Sequence, residues 1–302
     1  MAEAKSTLIE QKRLREFCAL VLRHYRRAGR HALPWRHTRD PYHILISEVM
    51  LQQTQVSRVM PKYHTFIRRF PNFRALASAP LRDMLAVWSG LGYNRRALYL
   101  KRIAETVMKD YSGKLPHDPM VLQRLPGIGA NTAGSITAFA FNAPATFIET
   151  NIRRAFIHHF FTDRHSHFLK KVRMSEGTRT AHTGRKVADA DVLPLVKRSC
   201  VGQEPRIWYA ALMDYGAYLG EVLPKAVNPN RQSTYYAQQT KFEGSERQVR
   251  GKILKLLLAH HRTTTARIRS AIRDERVMRI LRELTKEGML TRRDGQYRIA
   301  GS

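Results

Sequence analysis

The chain has 302 residues, room for two or three domains, and carries 53 Lys and Arg against 24 Asp and Glu. A formal net charge of +29 and a pI of about 10.8 point to a polyanionic partner, nucleic acid first and an acidic membrane surface second. No stretch approaches the roughly 18 uninterrupted apolar residues of a membrane span, and two cysteines, Cys18 and Cys200, make neither a disulfide framework nor a metal cage.

Residues 1–30 lack the apolar core and small-residue cleavage site of a signal peptide, so an intracellular protein is expected. They read as an amphipathic helix with Leu8, Phe17, Leu20, Val21 and Leu22 on its apolar side. From about residue 7 to 160 the pattern is helical, with punctuation at Pro71, Pro80, Gly90, Gly92, Pro116 and Pro119. Asp40-Pro41 predicts an N-cap followed by proline at the first helical position. In "DPYHILISEVMLQQTQV", residues 40–56, a helix from Pro41 places Glu48 on one face with Ile44, Leu45 and Leu51. A carboxyl on an apolar face has its charged form disfavoured, as a general acid near neutral pH requires. The competing reading is a glutamate of the first helical turns held by the dipole. Gln52, Gln53, Thr54 and Gln55 then form a polar run suited to base edges and phosphates.

"LPGIGANTAGSITAFAF", residues 125–141, sets Pro126, Gly127 and Gly129 before a run of small and apolar residues. They predict a tight turn opening a helix, where outward amides and the helix dipole suit an anion. A plain corner between helices fits this stretch equally well. In "FIETNIRR", Glu149 precedes Thr150 and Asn151 near a helix start, a place for simple capping. Two carboxylates, one protonated and one ionised, are also the apparatus that breaks a glycosidic bond through an oxocarbenium-like state.

Residues 163–188 lose apolar periodicity and read as a basic surface insertion. His158, His159, His165, His167 and His182 gather around it; without matching carboxylates or cysteines they read as charge for phosphates rather than as a metal site. Helical pattern resumes in "DADVLPLVKRSC" and "PRIWYAALMDYGAYLG", and 221–244 reads as a connector. Residues 245–302 read as a small domain of their own. Val249, Ile253, Leu256 and Leu257 share one helical face, "TTTARIRSAI" suits a threonine-capped second helix, and Val277, Ile280, Leu281 and Leu284 mark a third that Gly288 stops. Asp294-Gly295 marks a hairpin, giving a winged-helix-like pattern that is either a DNA contact or a packing module.

The blocks "LPWR", "SEVMLQQTQV", "W-SGLGY", "LPGIGANTAG" and "IETNIRR" stand in an order and spacing that resemble the adenine DNA glycosylases (the MutY branch of the helix-hairpin-helix superfamily that includes endonuclease III) over roughly residues 10–220. The resemblance implies a mainly α, two-lobed glycosylase domain over 1–220. It implies that Glu48 protonates adenine as the N-glycosidic bond breaks, with Glu149 as the second carboxylate. Gln53, Thr54, Leu91 and Tyr93 then match contacts beside the opposing guanine, Leu33 and Trp35 the wall of the adenine pocket, and Asp214 an acid at its edge. Asn131 and Asn151 are taken as further substrate contacts. Gly127, Ile128 and Gly129 match the phosphate-binding hairpin, which a monovalent cation on backbone carbonyls assists.

Four departures accompany the match. The family's ionised carboxylate is an aspartate, and Glu149 adds a methylene that moves it by about 1.5 Å. Asn131 stands where bifunctional relatives carry a lysine, so a Schiff base is not expected there. The four cysteines of an iron–sulfur cluster are missing after "MDYG". A winged-helix-like segment takes the place of the Nudix-like domain that reads 8-oxoguanine. The expectation is a monofunctional, monomeric, DNA-associated enzyme, cytoplasmic if prokaryotic, with no cluster and no metal, that excises adenine opposite 8-oxoguanine or guanine. A thymine or uracil mismatch glycosylase and an inactive DNA-binding relative are the alternatives.

Overall fold

The computed structural model describes residues 2–162, 186–237 and 241–301. In chain order the helices are α1 (Ala2–Ala28), α2 (Pro41–Leu51), α3 (Val56–Arg69), α4 (Phe73–Ser78), α5 (Leu81–Trp88), α6 (Arg95–Asp110), α7 (Pro119–Leu122), α8 (Ala130–Phe141) and α9 (Thr150–Phe160). Next come α10 (Asp189–Ser199), α11 (Pro205–Val222) and α12 (Glu246–Ala259). Strand β1 (Thr263–Thr264), α13 (Thr265–Ile272), α14 (Val277–Lys286), β2 (Leu290–Arg293) and β3 (Gln296–Ile299) finish the chain. Short 3-10 turns stand at Pro34–Arg36, Lys225–Val227 and Pro229–Gln232. The mainly α class expected from the sequence is the class observed.

The chain forms two compact units. The first takes residues 1–36 and 133–238. Its core centres on Phe17 of α1, whose ring lies 4.9 Å from Phe156, 5.4 Å from Phe160 and 6.3 Å from Trp208. Leu14, Phe17 and Val21 are the buried stripe of α1, spaced three and four residues apart. Leu8 and Leu20 are exposed and Leu22 is half-buried, which corrects the apolar side expected there. Consecutive residues such as 20, 21 and 22 are about 100° apart around a helix, so one stripe takes only the middle one. The expected connector is described over 221–237 and 241–244, and its first part packs against the first unit. Asn230 is buried and donates to the Thr150 carbonyl at 3.1 Å, and Ser233 forms a parallel bridge with Val187. Of the expected insertion, 163–185 lies outside the described residues, as do His165, His167 and His182.

The second unit takes residues 37–132 and 239–302. The chain therefore packs in a different grouping from the expected 1–220, 221–244 and 245–302 division. Arg82 donates to the Leu257 carbonyl (3.0 Å), Arg102 to the Glu287 carbonyl (2.8 Å) and Arg247 to the Tyr93 hydroxyl (2.6 Å), so the C-terminal segment is tied to α5, α6 and the loop between them. Within that segment the threonine cap is present, Thr264 accepting from the Arg267 amide. Asp294 and Gly295 both take positive φ, as a two-residue hairpin turn of the right twist demands. Strand β1, which the sequence reading took only as a cap, pairs with β3, giving the sheet order β1-β3-β2.

Candidate active site and nucleic-acid interface

Helix α2 begins as the sequence dictates: Asp40 accepts from the Tyr42 amide at 2.8 Å and Pro41 supplies the first helical φ. Its Tyr42, Ile44, Leu45, Ile46, Ser47, Val49 and Met50 are buried, so it runs through the unit's core rather than along its surface. Glu48, half-buried, is the one carboxylate that α2 carries into this apolar setting.

The loop after α2 is fixed by a residue that sequence reading missed. Arg96, 7% exposed at the start of α6, donates to the carbonyls of Val49 (2.8 Å) and Met50 (2.9 Å), to that of Gln52, and to Thr54 Oγ1 (2.9 Å) and the Gly92 carbonyl (3.3 Å). One planar guanidinium therefore closes the C-terminal end of α2, where carbonyls carry the negative end of the dipole. It also joins the 52–54 loop to the 90–93 turn. Its ring neighbours are Trp88 and Tyr93, at 5.3 and 5.4 Å, and burial pulls its pKa down to about 10. The only sequence signal was a pair of arginines opening a basic helix, which says nothing of burial. Gln53 and Tyr93, both anticipated as lesion contacts, hold left-handed φ of 53° and 45°. Backbone of that kind in non-glycine residues costs energy and concentrates at functional sites. Gln53 is exposed and Thr54 half-buried, whereas Leu91, expected to touch the opposing base, is 2% exposed and packed inside.

The 125–129 turn exposes Gly127 and Gly129 and buries Ile128 between them. The two glycines serve different ends. Gly127 holds φ +76°, and a Cβ there would meet the Tyr99 ring at 2.4 Å, so it is required by the fold. A Cβ on Gly129 would meet nothing within 4 Å, which leaves its backbone open to an outside group at the mouth of α8. Asn131, in the first turn of α8, is exposed; Gln52 Nε2 reaches Thr132 beside it at 3.1 Å.

The first unit holds the remaining candidates. Glu149 is the N-cap of α9: its Oε1 accepts from the amides of Asn151 (2.8 Å) and Ile152 (3.1 Å), and its Oε2 from Asn151 Nδ2 (3.3 Å). Burial pushes its carboxyl above the usual range, while those hydrogen bonds and the Arg154 charge pull the other way. Capping is thus one job of Glu149, and the acceptors that would face a cationic sugar are the same two oxygens. Arg154, also unforeseen, links Asn151 Oδ1 (2.9 Å) to the Gly216 carbonyl (2.6 Å).

Asp214 stands deeper than a pocket edge. It is 3% exposed and accepts from the Arg30 amide (2.8 Å), Arg30 Nε (2.7 Å) and Arg36 (3.1 Å). Its oxygens are committed to tying the 29–36 loop to α11. That loop presents Leu33 and Trp35, both buried. Of the histidines, His159 pairs with the Tyr215 hydroxyl at 2.7 Å, and the described residues contain no grouping of side chains fit for a metal. No helix among them is long and apolar enough to cross a membrane.

Residues 46–175 match the HhH-GPD superfamily of base excision DNA repair proteins. The chain is 39% identical over 156 residues to the adenine DNA glycosylase of Buchnera aphidicola subsp. Baizongia pistaciae, covering 52% of this chain and 44% of that one. It therefore spans less than half the length of that relative. To the adenine DNA glycosylase of Mycobacterium tuberculosis it is 31% identical over 291 residues, covering 93% of this chain and 92% of that protein. Among solved structures, a thermostable thymine-DNA glycosylase is similar with a TM-score of 0.58 at 26% identity, over 75% of this chain and 98% of its own.

Proposed function

This chain belongs to the adenine DNA glycosylases of the HhH-GPD superfamily, and on that premise we propose that it hydrolyses the N-glycosidic bond of adenine in duplex DNA, where adenine stands opposite 8-oxoguanine or guanine. The observation that carries the reading is Glu48, a half-buried carboxyl on the core helix α2, beside a loop and turn that Arg96 holds in strained backbone.

The chemistry follows from these residues. Adenine leaves poorly as an anion, so a protonated Glu48 lowers the barrier by giving its proton to the departing base. Glu149 supplies negative charge to the cationic sugar once it has given up its proton; its hydrogen bonds from the start of α9 and the Arg154 charge favour that ionised form, and burial outweighs them in the free protein. Gln53, Thr54 and Tyr93 contact the opposing strand, Leu33 and Trp35 wall the adenine pocket, and a DNA phosphate rests on the amides at Gly129. The carbonyls of the 127–129 hairpin would hold the monovalent cation that the family resemblance implies, which would add positive charge beside the phosphate. Asn131 has no amine for a Schiff base, so the enzyme is monofunctional. An iron–sulfur cluster does not fit: the only cysteines are Cys18 on α1 and Cys200 after α10, short of the four thiolates required. The enzyme is further taken to be a DNA-associated monomer of the cell interior.

The test is Glu48→Gln, nearly isosteric but without a carboxyl proton. Binding to mispaired duplex persists, and the single-turnover excision rate falls on the order of 10²-fold or more. An undiminished rate removes Glu48 from the mechanism.

A further inference from the structure

The three-stranded sheet has two faces of opposite chemistry. Thr263 of β1, Tyr297 and Ile299 of β3 and Leu290 of β2 are buried. Alternation then sets the outer face. Thr264 lies opposite Gln296, which lies opposite Arg293, and Arg298 lies opposite Thr291. The pairing of Thr263 with Tyr297 brings Arg262, one residue before β1, level with Arg298. Arg262, Arg293, Gln296 and Arg298 converge on one pocket of about 230 Å³. Its one carboxylate, Asp294, lies 3.9 Å from Arg293 with both side chains more than four-fifths exposed, where a pair of charges contributes little.

Elsewhere in the segment four acids, Glu246, Asp274, Glu283 and Glu287, are already paired with arginines. Residues 241–301 carry sixteen Lys and Arg against seven Asp and Glu. On α14, Arg279 is held by Glu246 (3.0 Å) and Glu283 (2.6 Å), and Arg250 of α12 is held by Glu283 (3.5 Å) and Glu287 (2.6 Å). The third helix therefore has part of its positive charge neutralised, while the sheet face keeps its own.

We propose that this outer sheet face is a second phosphate-binding surface, distinct from the 127–129 hairpin, that holds the backbone of duplex DNA. Three strands about 4.8 Å apart spread the arginines over roughly 10 Å, and Thr264, Thr291 and Gln296 add neutral donors between them. The face offers guanidinium, hydroxyl and amide groups and buries its apolar side chains, so it grips phosphates without reading bases. The choice of DNA as the polyanion rests on the proposed glycosylase function.

The test uses the full chain with Arg262, Arg293 and Arg298 all changed to Ala, and an undamaged, fully paired duplex, so that its outcome does not depend on excision. Removing one charged group from a phosphate makes the slope of log affinity against log salt shallower by about 0.9, hence by about 2 to 3 in the triple variant. Lys at the same three positions keeps most of the slope. A slope equal to that of the parent protein, in a variant with unchanged circular dichroism, overturns the proposal. Arg293→Ala alone, at the exposed hairpin tip, gives a reduced slope even if the triple variant folds poorly. Weakening confined to duplex RNA or to anionic phospholipid vesicles, with duplex DNA binding intact, also overturns it. If the slope falls but adenine is released from no duplex, the surface stands and the glycosylase reading fails.

Discussion

Replacing Asp214 by Asn keeps the shape of the side chain and removes the charge that two guanidinium groups share. The Asp214 side chain is 1% exposed, that of Arg36 10% and that of Arg30 37%. Breaking a buried pair from one side costs about 3–5 kcal/mol, because the partner charge stays buried. Arg30 recovers part of its hydration, and Arg36 recovers little, having one buried nitrogen, Nη1, that already makes no hydrogen bond. The low end, about 3 kcal/mol, is the appropriate figure. In a chain of this size that lowers Tm by about 5 °C. The same ion pairs hold the loop bearing Leu33 and Trp35, so excision slows even at temperatures where the variant is fully folded. Thermal unfolding by circular dichroism and single-turnover excision measure the two effects. A variant with the parent's Tm refutes the reasoning, since the ion pairs would then be ornamental.

The two hairpin glycines separate fold from function. Gly127→Ala, forced against Tyr99 at positive φ, destabilises the protein by about 1 kcal/mol or more, seen in urea unfolding; Gly129→Val leaves stability near that of the parent but weakens binding to every duplex alike, seen in titrations with matched and mismatched DNA. Equal stability losses at both positions contradict that division. For Glu149 the sign follows from burial. Its folded pKa lies above the ordinary value of 4.5, so the native state keeps a proton that the unfolded chain has released. That contribution to stability is present below the ordinary value and is lost as pH rises through the raised one. The stability of the parent protein relative to Glu149→Gln therefore declines from acid to neutral pH, while the single-turnover rate of Glu149→Gln is severely reduced. Urea unfolding at several pH values checks the trend, and a relative stability that rises with pH contradicts it.

Local signals in this chain were legible because their physics is local. Asp40-Pro41 caps α2, Thr264 caps α13, and Asp294-Gly295 turns the hairpin, each by bonds within a few residues. The position of Glu48 on α2 also followed from helical spacing alone. What stayed hidden depends on partners far away in sequence. Arg96 finds acceptors as many as 47 residues distant, and Asp214 meets Arg30 and Arg36 across more than 170. A buried arginine and an exposed one look alike in a sequence. Strand β1 is only two residues long, too short for an alternating pattern to show. Leu20 and Leu22 misled because composition marks them apolar while the helix turns them to either side of the buried stripe. Leu91 and Asp214 were assigned by resemblance, and burial decides what each one touches.

The central claim is tested most directly by single-turnover excision on four duplexes, carrying A opposite 8-oxoguanine, A opposite guanine, and T or U opposite guanine. Adenine release from the first two, with thymine and uracil left in place, is the expected result. The likeness to a thymine-DNA glycosylase makes the last two duplexes the decisive controls. Release of thymine or uracil with adenine untouched contradicts the adenine assignment, and a chain that binds all four while releasing nothing contradicts catalysis altogether.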